Sequence, residues 1–368
     1  MFNKYRREIE YCTYCPKLCR FACPVGNASC SETFTPWGRQ SLLHLVMEDK
    51  LEFGREVAMA TYNCVTCLLC REYCDHDNNI PPIMEFARQK AVENQVEPVE
   101  VDDFKLFFAE HNNPLGDDLT KRVRAILPDK YFNENAQVVY WPGCSTIYHF
   151  PQNLIDTFNI FEALGIDYVS CWSGEEQCCG YPIGTLGLKD DYDKLSKNVA
   201  KALSGYKTII SGCPTCVYMF KSRYLEEGKK VTPKVYHIAE FLAPMIKAGK
   251  LDIRKPFPDP VMYHDPCYLG RYLDVYEEPR LILKEVLREP LVEFSYNLKD
   301  SMCCGGGGGL PTTKPTLARQ IAQDRLSEYY ESAAKVLVTA CPTCERHFQK
   351  WDENLKIMDI VNILAHCI

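Results

Sequence analysis

The sequence predicts an α+β chain, with an N-terminal α-helical domain followed by two duplicated α/β domains. Three observations predict it. Two quartets of cysteines, Cys12, Cys15, Cys19, Cys23 and Cys64, Cys67, Cys70, Cys74, punctuate a helix-patterned N-terminal stretch. A five-cysteine pattern is then written twice, and its cysteines follow short strand-like runs that alternate with helical ones, the rhythm of parallel α/β units. The boundaries read as 1–96 for the helical domain, 97–136 for a connecting segment, 137–250 for the first α/β domain and 251–368 for the second.

The first quartet, Cys12-x2-Cys15-x3-Cys19-x3-Cys23-Pro24, and the second, Cys64-x2-Cys67-x2-Cys70-x3-Cys74, have the spacing of a two-cluster iron–sulfur site. In such sites three close cysteines hold one cubane and the fourth crosses to the other. On that logic Cys12, Cys15, Cys19 and Cys74 hold one [4Fe–4S] cluster, and Cys64, Cys67, Cys70 and Cys23 the second. The first quartet has one extra residue between its second and third cysteines, and Asp75 stands where proline would usually follow the second quartet. Zinc ribbons are the competing reading. Between the quartets, Thr35-Pro36-Trp37-Gly38 marks a helix start, and Leu42, Leu43, Leu45 and Val46 recur at helical spacing. Ile83, Phe86, Ala87 and Val92 line another helical face, and Trp37 reads as a core residue. The stretch resembles the α-helical ferredoxin module of succinate dehydrogenase and heterodisulfide reductase subunits.

Residues 97–136 are acidic and loop-rich, with Asp102-Asp103, Asn112-Asn113-Pro114 and Asp117-Asp118. Phe104, Phe107 and Phe108 predict one docked helix within this connection.

In the duplicated region, Gln137–Trp141 and Pro260–His264 are strand-like runs that end just before Cys144 and Cys267. Helical stretches follow at Asn153–Leu164 and Pro279–Leu287, then strand-like runs at Asp167–Ser170 and Leu291–Ser295. These lead to Cys178-Cys179-Gly180 and Cys303-Cys304-Gly305. After a further helix, Thr208–Gly212 and Lys335–Ala340 run into Cys213-Pro-Thr-Cys216 and Cys341-Pro-Thr-Cys344. Loops at the carboxyl ends of parallel strands converge on one crevice, so the five thiols of each copy are expected to gather there.

Five thiols exceed the four ligands of tetrahedral zinc, which points to a polynuclear iron–sulfur cluster. The copies resemble the CCG domains of heterodisulfide reductase, and His264-Asp265-Pro266-Cys267-Tyr268-Leu269-Gly270-Arg271 with Cys303–Gly309 is similar to that family's second copy. Joined behind a two-cluster module, the arrangement resembles the fused D-type subunit and related proteins of anaerobic metabolism. The resemblance implies a noncubane [4Fe–4S] cluster in each complete copy, the two facing one another across a cleft. It also implies reduction of an organic disulfide to thiols, with the N-terminal cubanes as the wire and with Cys267, Cys303, Cys304, Cys341 and Cys344 as the catalytic set. A noncatalytic relay in a sulfite-reduction or class II benzoyl-CoA-reductase complex stays open, as does the iron–sulfur subunit of a lactate, glycolate or glycerol-phosphate dehydrogenase. The implied partners are a bifurcating-type flavoprotein or a membrane cytochrome b.

Composition narrows the class further. With 21 cysteines in 368 residues the chain is far longer than small disulfide scaffolds, and its spacings suit metals. A net charge of -7 provides no basic field for nucleic acid. The charged start, Lys4, Arg6, Arg7 and Glu8, lacks an apolar run behind it, and no stretch approaches a membrane span. A cytoplasmic place is expected, or one at the inner membrane face reached through a partner.

Four further features bear on the site. Gly305-Gly306-Gly307-Gly308-Gly309 lacks the order of a P-loop or a dinucleotide fingerprint, so it is expected to bring backbone N–H groups to cluster sulfurs and to leave room for substrate. The first copy, Cys179-Gly180-Tyr181-Pro182, is expected to be the more enclosed. His264 is a candidate proton donor or sulfur-bonding neighbour. Arg271 would meet an anionic substrate or pair with Asp274 or Glu277. Cys30, Cys171 and Cys367 are left over and read as buried structural thiols, with Cys171 a substitute ligand.

Overall fold

The structure, a computed structural model, describes residues 1–175, 177–229 and 231–368. The N-terminal part is helical. The helix Pro36–Met47 starts where Thr35 accepts a hydrogen bond from the Gly38 N–H and proline fills the first turn, a cap and a preset φ acting together. Pro81–Glu93 follows the second quartet and buries Ile83, Met84, Ala87 and Ala91.

The connection holds two helices, not the single one expected. Val99–His111 ends at Asn112, which takes the left-handed conformation, and the Asn113 side chain then accepts from the Leu115 and Gly116 N–H groups to make a tight turn. Asp118 caps the second, Leu119–Ile126. Its apolar signal is thin, with Leu119 and Val123 buried and Ile126 partly so among Lys121, Arg122 and Arg124.

Each α/β unit is a four-stranded parallel sheet. β1 (Val138–Trp141), β2 (Val169–Cys171), β3 (Thr208–Ser211) and β4 (Lys234–His237) lie in the order β2-β1-β3-β4. β5 (Val261–His264), β6 (Val292–Glu293), β7 (Val336–Thr339) and β8 (Ile357–Asp359) repeat it as β6-β5-β7-β8. The chain steps from the first strand to one side and then returns to the other, so a crevice opens at the carboxyl ends of β1 and β3, and again of β5 and β7. Cys144 follows β1 and Cys213 follows β3; Cys267 and Cys341 follow β5 and β7 in the same way.

Strand alternation explains how the parts join. In β1, Val139 and Trp141 enter a core shared with the N-terminal helices, whereas Tyr140 enters a core shared with the second α/β unit. In β5, Val261 and Tyr263 enter that second core, and Met262 enters a third with Val25, Val65 and Leu69 of the N-terminal part. Every pair of units therefore shares a core, which positions the quartets against both crevices. No helix among the described residues is long and apolar enough to cross a membrane.

Candidate metal centres

The first set of thiols, Cys12, Cys15, Cys19 and Cys74, lines one half-buried cavity with Trp37, Tyr73, His76 and Asn78. Trp37 thus borders thiols instead of filling the core, and its indole N–H donates to Thr13 O at 3.0 Å. Asn78 Nδ2 donates to Cys12 Sγ (3.1 Å) and to Glu8 O (2.7 Å). Burial, with Cys19 beside it, pushes the Cys12 thiol up to about 12; burial with Cys23 and Cys74 nearby pushes Cys19 to about 11.

Cys23, Cys64, Cys67 and Cys70 line a second cavity with Val65, Leu68 and Arg39. Cys23 precedes the helix Pro24–Ser29, and the Gly26 N–H reaches its sulfur at 3.3 Å. Arg39 is 2% exposed, and burial opposes its charge, but Cys64, Cys23 and Cys70 hold it charged. A buried guanidinium beside clustered sulfurs is a site prepared for a net anionic group.

In the first α/β unit the thiols form a chain of contacts: Cys144 to Cys178, Cys178 to Cys179, Cys179 to Cys216, Cys216 to Cys213. In the second the same chain runs Cys267, Cys303, Cys304, Cys344, Cys341, with Cys304 and Cys344 Sγ 3.3 Å apart. Each Cys-Pro-Thr-Cys opens a helix, Pro214–Tyr218 or Pro342–Trp351, so its sulfurs lie near positive helix ends. In each unit one thiol is acidified by hydrogen bonds from two sisters, Cys179 from Cys178 and Cys216, Cys304 from Cys303 and Cys344. Those sisters are pushed up, Cys178 and Cys303 first by bonds to Cys144 and Cys267, Cys216 and Cys344 first by the bonds to Cys179 and Cys304, and all four by burial. Soft sulfurs crowded out of water cannot all ionise against one another unless a cationic core lies among them, and thiolate-rich sets of this size suit iron–sulfur clusters. Trp141 Nε1, buried without a partner among the described residues, and the His264 ring, which bonds to Cys304, fit the same conclusion.

The profile of the cysteine-rich domain, CCG, matches residues 138–221 and 261–349. Among curated relatives, the D subunit of dihydromethanophenazine:CoB–CoM heterodisulfide reductase from Methanosarcina barkeri is 30% identical over 320 residues, spanning 83% of this chain and 78% of its own. The chain belongs to the family of heterodisulfide reductase D subunits. The corresponding protein of Methanosarcina acetivorans is 29% identical, across 98% of this chain and 94% of that protein. The B subunit of fumarate reductase (CoM/CoB) from Methanothermobacter marburgensis is 28% identical, across 97% of this chain and 72% of that one. This is accordingly an iron–sulfur protein of an oxidoreductase family.

Several site residues of this D-type chain lie where the sequence did not place them. The five-glycine run does not leave room for a substrate. The Gly305 and Gly306 N–H groups lie 3.4 Å from Cys303 and Cys304 Sγ, but a Cβ at Gly307 would sit 2.8 Å from Val65 O and one at Gly308 2.1 Å from Cys64 O. The glycines let the second-quartet backbone press onto the second unit. Gly308→Ala, at φ +63°, is therefore expected to destabilise the protein by about 2–4 kcal/mol, combining overpacking with left-handed strain. Anaerobic thermal unfolding measures this; an unchanged Tm would refute the close approach.

The space between the two five-thiol groups holds an aromatic wall, and the cavity of about 300 Å³ that Tyr218, Tyr268 and Tyr272 border has no cysteine in its lining. Tyr181, just after Cys179-Gly180, meets Tyr268, just after Cys267, at 5.2 Å between ring centroids. Tyr218 packs on Tyr268 and Tyr272, which stack at 4.1 Å. Thr66, in the second quartet, draws these rings together: its hydroxyl meets Tyr181 and Tyr268, and its carbonyl accepts from Tyr272. Neither unit is the more enclosed, since Cys178, Cys179, Cys213 and Cys216 are buried as fully as Cys303, Cys304, Cys341 and Cys344. Arg271 pairs with neither Asp274 nor Glu277. It donates to Cys67 O (2.6 Å), Lys299 O (3.0 Å) and Ser301 O (2.7 Å), joining the second quartet to the second unit. Among the leftover thiols, Cys171 lies in the core on the sheet face away from Cys178 and donates to Trp172 O, so it is no substitute ligand. Cys367 is buried and Cys30 is exposed.

Arg88 had no sequence signal beyond its place in a helix. It is fully buried and donates to the carbonyls of Thr61, Cys64, Thr185 and Gly308, and so ties all three parts together around the second quartet.

Proposed function

We propose that this chain is the electron-carrying subunit of a heterodisulfide reductase-type complex, and that its second five-thiol group is where organic disulfides and thiols are interconverted. The observation that carries this reading is the contact between Cys67 and Cys303. Cys67 belongs to the second quartet and Cys303 to the second α/β unit, so the two groups meet thiol to thiol. In this reading Cys12, Cys15, Cys19 and Cys74 hold one cubane, and Cys23, Cys64, Cys67 and Cys70 the other. Cys144, Cys178, Cys179, Cys213 and Cys216 hold one noncubane cluster, and Cys267, Cys303, Cys304, Cys341 and Cys344 the second. Clusters of this kind supply single electrons.

The burial of the thiols supports a direction. The first set is half-buried beneath exposed Tyr14, Leu18 and Phe21, where a redox partner, a flavoprotein or a membrane cytochrome b, would dock. Cys23, Cys64 and Cys67 of the second set, and all of the five-thiol groups but Cys144 and Cys267, lie deeper. A disulfide takes two electrons and two protons to give two thiols. Clusters held by the two five-thiol groups would each supply one of the electrons, and the His264 ring, beside Cys304, would hold one proton at the second while solvent supplies the other. The wall of Tyr181, Tyr218, Tyr268 and Tyr272, which borders a cavity with no cysteine in its lining, favours a second reading, a relay within a larger complex that passes electrons on without binding a disulfide.

Four clusters of four irons predict about sixteen iron atoms per chain, with matching acid-labile sulfide. Anaerobic metal and sulfide analysis with EPR tests this. Near-stoichiometric zinc with little iron would overturn the reading.

A further inference from the structure

The two α/β units are copies, yet their surroundings differ at one matched position. Trp141 ends β1 three residues before Cys144, and His264 ends β5 three residues before Cys267. Both are buried, at 0% and 1% exposure; Trp141 Nε1 has no partner among the described residues, and the His264 ring bonds to Cys304. For His264 the geometry assigns the tautomer, because Arg325 Nε donates to Nδ1 at 3.5 Å and leaves the proton on Nε2. That ring lies in a group with Cys304 and Cys344 whose ligand atoms are all within 4.8 Å of one another. For Trp141, the position a Cβ would take on Gly143 lies 3.8 Å from Nε1 and 3.4 Å from Cys216 Sγ, so the indole N–H borders the first group.

Charge separates the copies further. Beside the second group lie two buried guanidiniums, Arg271, which feels Cys67, Cys267 and Cys303, and Arg325, whose ion-pair partner Glu328 is as far as 4.0 Å away. Asp265, a carboxylate close by, is taken by Arg280 through two hydrogen bonds of 2.7 and 2.8 Å. Around the first group the matched positions are apolar or aromatic. Trp141 packs on Trp172 and Phe220, Tyr148 stands where the second copy has Arg271, and Met219 where it has His347. The charges behind it balance, Arg223 and Lys229 against Glu85 and Glu227. Arg88 bonds both copies and so does not discriminate.

We infer that Trp141 and His264 are matched hydrogen-bond donors to the groups their copies hold, and that Arg271 and Arg325 make the second copy the easier one to reduce, so electrons settle there. This rests on the cluster assignment proposed above. Positive charge and hydrogen bonds to sulfur stabilise the reduced, more negative state of a cluster, whereas an aromatic apolar shell disfavours it. Trp141 and His264 are positioning residues here, acting through the thiol groups.

The test is an EPR-monitored redox titration of the full-length, iron-loaded chain, with signals assigned by Cys178→Ser and Cys303→Ser, each expected to remove one. The second-copy signal should titrate at the higher potential. His264→Phe should lower that potential alone, and His264→Gln, which keeps an N–H donor, should restore part of it. Trp141→Phe should lower the first-copy potential alone. If Trp141→Phe does not load iron, the His264 pair decides. Equal potentials in the unmodified chain, a higher potential for the first copy, or His264→Phe unchanged at full iron content would each overturn the inference. Wild-type protein without iron would instead sink the cluster assignment, and the inference with it.

Discussion

Cys304→Ser is expected to reduce disulfide turnover to background while both N-terminal quartets still load iron and still accept electrons from reduced viologen. Cys304 is the centre of its group: Cys303 and Cys344 both bond to it, and these bonds acidify it. Serine replaces a soft, readily ionised sulfur with a hard hydroxyl that holds its proton, so the middle of the five-thiol chain is lost. The eight thiols of the quartets line two cavities of their own, and none of them belongs to this group. The measurements are turnover of a panel of organic disulfides under dithionite or viologen, iron content, and EPR before and after substrate. Full turnover in Cys304→Ser would move the chemistry elsewhere. No turnover and no spectral response in fully loaded wild type would favour the relay.

Arg88→Met should cost about 4 kcal/mol and lower Tm sharply, although no thiol is touched. The substitution keeps the unbranched apolar stem but removes every donor, leaving the carbonyls of Thr61, Cys64, Thr185 and Gly308 unpaired in a buried site. Each such group costs about 1–3 kcal/mol when orphaned, and partial relaxation keeps the sum below the simple total. Arg88→Lys should rescue little, because an ammonium has three donors about a point and cannot reproduce the planar fork. Anaerobic thermal melts of the iron-loaded protein measure both. Because Arg88 and Gly308 meet at the same carbonyl, Arg88→Met with Gly308→Ala should cost less than the sum of the two. A near-native Tm for Arg88→Met would show that these carbonyls are not held by the guanidinium.

The fold and the thiols were legible because their signals are local. Strand runs before Cys144, Cys213, Cys267 and Cys341, with helical runs between, determine both sheets and the place of each cysteine. The helix Leu119–Ile126 was not legible, since its few apolar residues, Leu119, Val123, Ala125 and Ile126, are submerged among cations. Nor were the contacts between units. Arg271 carries no mark showing that its partners are the backbone carbonyls of Cys67, Lys299 and Ser301. Glycine runs are ambiguous for the same reason: permissive backbone signals that something comes close, and only the folded chain shows that it is Cys64 and Val65. Thr66 and Leu68 adopt left-handed φ of 54° and 62°, a strain that sequence does not mark on non-glycine residues.

The hydrogen bond from Arg88 to Gly308 closes a loop of 220 residues. A chain made from its N-terminus therefore completes the four cysteines of the second quartet long before it makes the glycine that finishes the wall around them. Contacts of such separation form late, since the loop entropy is lost before the contact repays it. The first part of the molecule to be synthesised is thus the last to be sealed, and the second quartet stays open to its surroundings until the final third of the chain has folded.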